Sequence, residues 1–276
     1  METFGERLHR AVRERGPLCV GIDPHPALLA RWGLSDDVAG LERFACTVVE
    51  ALADRVAVVK PQSAFFERFG SRGIRVLEST IRQLREAGTI SLLDVKRGDI
   101  GSTMAAYAEA YLDPASSLRA DAVTLSPYLG VGSLRPAFDL AAAHGGGVFV
   151  LALTSNPEGP AVQHAVTGDG RTVAQRVIDE ISQLNEGATP IGSIGLVVGA
   201  TIGDTGHDLS TVNGPLLAPG LGAQGGTPEQ LRTIFGQSLQ NVLPSYSREV
   251  LGAGPEIPAL RAAAQRVADA CGAALG

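Results

Sequence analysis

Cysteine is scarce in this sequence of 276 residues: Cys19, Cys46 and Cys271 are its only three. They are far apart and none belongs to a C-x-x-C pair, so neither a thiolate zinc site nor a disulfide framework is indicated. Cys19 and Cys46 stand among apolar neighbours and read as core fillers. Long apolar runs are missing too. No uninterrupted stretch reaches the ~18 residues of a membrane span, and residues 1–7 lack the apolar run of a secretory signal. A cytoplasmic protein with no membrane partner is therefore expected. Positive charge is not in excess either: 23 basic against 29 acidic residues leave a net charge of −6. A nucleic-acid partner would call for a basic stripe. The one dense basic stretch, residues 72–85, alternates with apolar residues at helical spacing and reads as a solvated helix face. The five histidines (His9, His25, His144, His164, His207) show no ligand spacing, so no metal site is expected and none of them is given a catalytic role. His25, between Pro24 and Pro26, reads as part of a rigid turn. No internal repeat or disordered linker interrupts the chain.

What is present is apolar material for one large core, with 45% of residues hydrophobic. Short, β-branched apolar runs recur at 18–23, 56–60, 90–96, 122–126, 148–154, 195–200, 216–220 and 241–244, each followed by turn residues. Near-continuous apolar runs suit parallel strands buried on both faces. Between many of them the spacing becomes helical. Leu41, Phe44, Val48, Val49 and Leu52 fall on one face, as do Ile74, Leu77, Ile81 and Leu84, and Gly88 is placed to end that second helix. Phe4, Leu8 and Val12 mark an extra N-terminal helix before the first strand, ended by Gly16-Pro17; Ile257, Leu260, Ala264, Val267 and Cys271 mark the last. Eight strands in regular alternation with helices predict an α/β fold of the closed (β/α)8-barrel type. Such barrels run to about 250 residues, so residues 1–276 are expected to form one domain. Two polar stretches, 156–171 and 203–214, are too long for simple connections. Each follows a strand and so belongs to the barrel's C-terminal, functional face.

The chemistry concentrates at strand ends. In a strand, residues two apart share a face, so Asp94 and Lys96 point the same way. Asp99 follows on the loop, where it can turn back or reach a neighbouring subunit. Lys60 ends the second strand and Asp23 the first, so five charged groups are expected to converge at the mouths of three consecutive strands. A surface ion pair would explain Asp23 or Lys60 alone. It explains D-x-K-x-x-D on a buried strand poorly, because buried charges are costly unless paired.

Glycines carry a second signal. The turn Pro219-Gly220-Leu221-Gly222-Ala223-Gln224-Gly225-Gly226 follows the seventh strand, and Tyr246-Ser247-Arg248 follows the eighth. Loops in those places commonly bind phosphate through backbone N–H groups that glycine leaves uncovered, and an arginine can grip the same group with two bonds. Thr227-Pro228-Glu229 is expected to start the next helix, with an N-cap and a first-position proline. Thr154-Ser155-Asn156-Pro157 ends the fifth strand, where hydroxyls and an amide could hydrogen-bond a planar ring or simply cap the loop.

Together with Gly21-Ile22-Asp23-Pro24-His25-Pro26, Val59-Lys60-Pro61-Gln62, Leu93-Asp94-Val95-Lys96-Arg97-Gly98-Asp99-Ile100-Gly101-Ser102-Thr103 and Ser245-Tyr246-Ser247-Arg248, these motifs resemble, in order, the orotidine 5′-phosphate decarboxylases of the longer-chain bacterial branch. The resemblance runs from about residue 18 to 248. It implies cofactor-independent conversion of orotidine 5′-phosphate to UMP and CO2, the last step of de novo pyrimidine nucleotide synthesis. It implies a catalytic array of Lys60, Asp94, Lys96 and Asp99, and a homodimer in which Asp99 and Thr103 serve the partner's site. By the same likeness Asp23 and Lys60 hold ribose hydroxyls, Ser155 binds the pyrimidine, and Gln224 and Arg248 contact the phosphate. Arg97-Gly98 within the motif and Gly101-Ser102 after it depart from the shorter-chain pattern.

Two other functions fit parts of the pattern. Hexulose-phosphate synthases and keto-gulonate-phosphate decarboxylases carry a similar D-x-K-x-x-D element but use a divalent metal and need a further acidic ligand near the first or second strand. Here the second strand ends in Lys60-Pro61-Gln62, and Glu67 lies further on, in a helical context. A barrel that binds a nucleotide for regulation should have lost one of the four charges, and none is lost.

Overall fold

The computed structural model describes residues 1–276. Eight parallel strands close into a barrel in sequence order: β1 Cys19–Ile22, β2 Val58–Pro61, β3 Ile90–Arg97, β4 Ala122–Leu125, β5 Gly147–Leu153, β6 Ile194–Val198, β7 Leu216–Pro219 and β8 Val242–Tyr246. Pairing of β1 with β8, through Cys19 opposite Ser245, completes the ring. The strands lie within a residue or two of the apolar runs that announce them.

The core has two layers, and the pleat separates them. Cys19, Val58, Ile90, Leu92, Ala122, Phe149, Val197, Leu217 and Leu243 form an inner cluster inside the barrel. Their sequence neighbours Val20, Val59, Leu93, Val123 and Val148 belong to the outer cluster against the helices. The same parity selects the side chains at the barrel's mouth. Inward residues alternate, so the positions after Val58, Leu92, Ala122 and Leu243 bring Lys60, Asp94, Thr124 and Ser245 to the interior above an apolar floor.

The floor is closed from below by α1 (Phe4–Arg15). Thr3 and Glu6 cap each other's backbone at its start, which satisfies amides that the first turn leaves free. Phe4 and Leu8 join the inner cluster, and the Phe4 ring meets Phe149 edge-on at 6.1 Å. The remaining helices wrap the outside: α2 Pro26–Arg31, α3 Val38–Leu52, α4 Ser63–Glu67, α5 Gly70–Glu86, α6 Gly101–Leu112, α7 Arg135–His144, α8 Gly159–Gln163, α9 Val173–Leu184, α10 Gln230–Phe235, α11 Arg248–Leu251 and α12 Ile257–Leu275. Leu77, Ile81 and Leu84 of α5 are buried as its spacing predicts, with Arg72, Arg75, Arg82 and Arg85 exposed; Ile74 is only half-buried, and Val76 is buried in addition. None of the helices is long and apolar enough to cross a membrane.

Regular alternation fails at one crossing. No helix joins β6 to β7. The segment between them satisfies its polar groups locally: Gly206 N donates to Asp204, His207 N to Thr205 Oγ1 and Ser210 N to Asp208. Short side chains that bond their own backbone in this way compete with helix. His207 also reaches Thr172 Oγ1 at 2.7 Å, tying this segment to the one that follows β5. A second difference lies after β7. The helix there begins at Gln230 rather than at Thr227, because the Gln230 side chain accepts from Thr227 N and folds Thr227–Glu229 into a turn. Cys46, expected in the core, is partly exposed, whereas Cys19 and Cys271 are buried.

Candidate active site

A cavity of about 270 Å³ opens at the C-terminal end of the barrel. Its wall includes Asp23, His25, Lys60, Gln62, Asp94 and Lys96 on one side and Gly220, Gln224, Ser247 and Arg248 on the other. Such a mouth, ringed by loops after the strands, is the usual reaction site of this architecture. A larger cleft of about 660 Å³, between the end of α1 and α12, lies at the opposite end of the barrel and holds none of these residues.

Asp94 is the centre of the first side. Its Oδ2 accepts from Lys60 Nζ at 2.9 Å, and its Oδ1 accepts from Lys96 Nζ at 2.6 Å and from Thr124 Oγ1 at 2.8 Å. Lys60 also reaches Gln62 Oε1 at 3.4 Å. The Lys60 and Asp94 side chains are 8% and 7% exposed, against 45% for Lys96. Burial by itself would favour the neutral form of each buried partner. For Asp94 that push is overcome by the Lys60 and Lys96 ammoniums, which hold its carboxyl well below the usual carboxylate range. Burial likewise works against the Lys60 charge, but the carboxylates of Asp94 and Asp23 outweigh it and raise its pKa above the ordinary lysine value. Both members therefore stay ionised.

The backbone here is unusual. Lys96 has φ of +45°, a left-handed conformation for a residue other than glycine. It lies where β3 advances from Leu93 to Arg97 while β4 advances only from Val123 to Leu125. β-Bulges of this kind re-aim side chains at active sites. Beyond the bulge Arg97 is braced by Glu67 at 2.6 Å and lies over the Tyr107 ring. Gly98 then passes so close to the Ser126 carbonyl that no Cβ would fit. The arginine and glycine inside the motif thus have structural partners.

Of the five charges expected to converge, Asp23, Lys60, Asp94 and Lys96 share the cavity wall; Asp99 does not. Its Oδ1 instead accepts from Ile100 N at 2.8 Å. Asp99 is half-buried, outside that wall. Thr103, on the first turn of α6, and Ser155, just past β5, are exposed and also lie outside the wall. Asp23 Oδ1 and Ser247 Oγ are buried in the wall without a hydrogen-bond partner.

On the opposite side, Gly220, Gly222 and Gly225 take φ of +106°, +69° and +93°, values that favour glycine. Three amides of the turn bond within it. Gly222 N bonds Gly226 O, Gly225 N bonds Gly222 O, and Gly226 N bonds Gly220 O. Gly220, Leu221, Ala223 and Gln224 of the turn line the cavity, as does Arg248 at the start of α11. Thr124 and Gln62 carry no functional signal in the sequence, where His25 reads only as part of a turn. His25 does cap α2, with Pro26 at its first position, but its ring packs on Phe65 at 4.4 Å in the cavity wall.

Residues 16–263 match the family model described as orotidine 5′-phosphate decarboxylase / HUMPS family. The chain belongs to this family. A Salinispora arenicola orotidine 5′-phosphate decarboxylase is 78% identical over 275 residues, covering 100% of this chain and 99% of that protein. The Streptomyces coelicolor enzyme of the same name is 64% identical over 269 residues, covering 97% and 96%. Among solved structures, a Streptomyces avermitilis protein provisionally assigned as an orotidine 5′-phosphate decarboxylase superposes with a TM-score of 0.97 at 62% identity, covering 100% of this chain and 96% of that one. The OMP decarboxylase of Leishmania donovani superposes at 0.79 with 31% identity, each chain covered to 99%. The orotidine 5′-phosphate decarboxylase / HUMPS family thus includes this chain along nearly all its length, with the charged cavity inside the matched region.

Proposed function

We propose that this protein, acting as one barrel domain over residues 1–276, converts orotidine 5′-phosphate to UMP and CO2 without a cofactor, the closing step of pyrimidine nucleotide synthesis. The observation that carries the proposal is the Lys60–Asp94–Lys96 array, set in one cavity with Gln224 and Arg248. Three cations and two carboxylates line that space, a balance suited to a substrate with a phosphate and a carboxylate. Arg248 and Gln224 bind the phosphate. Asp23, with its unpartnered buried oxygen, and Lys60 hold ribose hydroxyls. Ser155 meets the pyrimidine from the rim.

When the bond from C6 to the carboxylate breaks, its electron pair stays on C6 in the ring plane, where no conjugated sink can take it. Fixed positive charge must stabilise it, and charge held in place beforehand does so without reorganisation. Lys96 delivers its proton to C6, is left as a neutral amine, and is recharged from solvent. Asp94 holds both ammoniums in position. Phosphate binding, remote from C6, supplies energy to order the loops around the substrate.

Asp99 and Thr103 act in the site of a second subunit, which makes the working form a homodimer with active sites at the interface. Support comes from their place outside the cavity wall and from the exposed apolar residues on the adjoining loops, Ile100, Tyr128 and Leu129. The three free thiols suit the cytoplasm.

The family description also covers HUMPS enzymes, so a metal-dependent reaction on a sugar phosphate is the second reading. It is disfavoured because Glu67 is engaged by Arg97 and Ser63, and because an ammonium, Lys60, flanks Asp94. The test is CO2 release from orotidine 5′-phosphate in excess chelator. Full activity is expected, together with its loss in Lys96→Ala while UMP still binds. Chelator-sensitive turnover, or near-normal turnover in Lys96→Ala, would overturn the proposal.

A further inference from the structure

Thr124 lies beneath the cavity, 1% exposed, and is not part of its wall. Strand parity turns it inward after Ala122, towards the stretch of β3 that bulges. There its single hydroxyl makes three bonds. It accepts from Val95 N at 3.1 Å and from Lys96 N at 3.0 Å, and it donates to Asp94 Oδ1 at 2.8 Å. A hydroxyl has one proton and two lone pairs. The two amides can only donate, so they take both lone pairs. The proton must then go to Asp94, whose Oδ1 is held as an acceptor facing Lys96.

We propose that Thr124 is a positioning residue for the decarboxylation: its hydroxyl pins the bulge that turns Lys96 into the cavity and fixes the Asp94 carboxylate between the two lysines. The inference rests on the decarboxylase reading of this site. Strained backbone persists only where its surroundings over-determine it, and Lys96 at φ +45° is held by its own amide and that of Val95 on one side chain. Lys96 needs such help. Its ammonium ends a flexible stem and its side chain is 45% exposed, so its direction depends on where its Cα points and on Asp94. Serine would offer the same bonds from a freer side chain. Valine would keep the shape and suit the strand, but would offer none.

The experiment compares Thr124→Val, Thr124→Ser and the parent protein in CO2 release from orotidine 5′-phosphate, with UMP affinity measured alongside. Misplacing a reacting group by an ångström costs about 100-fold in rate. Thr124→Val is therefore expected to lower kcat by about 10- to 100-fold, with KM and UMP affinity within about two-fold of the parent, because Thr124 does not touch the cavity. Thr124→Ser should recover most of that loss, which a purely packing role would not allow, since serine lacks the methyl that valine keeps. Should the valine variant not accumulate as folded protein, Thr124→Cys takes its place, with an atom of weak hydrogen-bonding power at the same position, and the same fall in kcat is expected. If the parent releases CO2 and the tested variant keeps its kcat within about two-fold, or Thr124→Ser is as impaired as it, the positioning role is overturned alone. If the parent releases no CO2, the proposed reaction and the role built on it fall together.

Discussion

Replacing Asp94 by asparagine tests whether the array is held by charge or merely by shape. Asparagine keeps the size of the side chain but removes the carboxylate that both lysines share. Lys96 can turn to solvent, since its side chain is 45% exposed. Lys60 cannot, being 8% exposed, and would remain a buried ammonium with only Asp23 as a nearby opposite charge. Breaking a buried pair from one side costs about 3–5 kcal/mol, far above the ~1 kcal/mol ceiling of an exposed pair. In a chain of this size each kcal/mol moves Tm by roughly 2–4 °C, so a fall of about 6–20 °C near neutral pH is expected.

The dependence on pH makes the prediction sharper. In the parent, the folded pKa of Lys60 lies above its ordinary 10.5, so its contribution is complete below 10.5 and is lost as pH rises through the folded value. In Asp94→Asn, burial is no longer outweighed and the folded pKa of Lys60 drops below 10.5. The penalty then shrinks as pH climbs and the ammonium gives up its proton. On the acid side, Asp94 lies below its ordinary 3.8, so its contribution is present above 3.8 and fades as pH falls through the lowered folded value. Urea melts of both proteins around pH 7 and again around pH 10 measure the gap. It should narrow clearly at the higher pH. An equal gap at both, or one under about 1 kcal/mol near neutrality, would refute the electrostatic account.

Two further outcomes bear on the proposed site. Arg248→Ala should raise KM for orotidine 5′-phosphate by about 10- to 100-fold, the worth of a charge-assisted hydrogen bond or two, while leaving kcat/KM for orotidine, which lacks the phosphate, unaltered; an unchanged KM would remove Arg248 from phosphate binding. Mixing inactive Lys96→Ala with inactive Asp99→Asn subunits should restore about a quarter of the parent activity, because random pairing makes about half the dimers mixed and one site in each is complete. No recovery after subunit exchange would place Asp99 in the service of its own chain.

The barrel is legible in the sequence because parallel strands buried on both faces leave continuous apolar runs, and the helices α3 and α5 leave a clean 3.6-residue stripe. Lys60, Asp94 and Lys96 are legible for a related reason: charge at the end of an apolar strand is rare enough to stand out, and a two-residue period puts Asp94 and Lys96 on one face. Thr124 leaves no such trace. A threonine inside a strand is ordinary, and its importance comes from a register jump between β3 and β4 that no local pattern encodes. The missing helix between β6 and β7 is masked by the regularity of the rest, though its run of Thr, Gly, Asp and Ser is the composition that favours local turns over helix. The glycine turn after β7 is located by its sequence but not detailed by it. Positive φ can be inferred from glycine, but which amides then bond one another cannot. Asp99 shows the limit of spacing arguments: three residues past Lys96 could lead inward or outward, and Asp99 lies outside the cavity wall.

A proton donor must be able to give up its proton and regain it, whereas a fixed charge must do neither. The two lysines on Asp94 differ in just these respects. Lys60 is buried, its pKa raised by Asp94 and Asp23 against the opposing effect of burial, and losing its proton would strand an uncompensated carboxylate in the barrel. It is suited to supply a steady field. Lys96 shares the same carboxylate but is nearly half exposed and sits on strained backbone, so solvent can recharge it and a small movement can separate it from Asp94. In the proposed reaction this assigns proton delivery to Lys96 and not to Lys60, although the two ammoniums lie within 2.9 Å and 2.6 Å of the same carboxylate. Strain and buried charge both work against stability; that they occur together at the mouth of an otherwise apolar barrel is what a site organised before its substrate arrives requires.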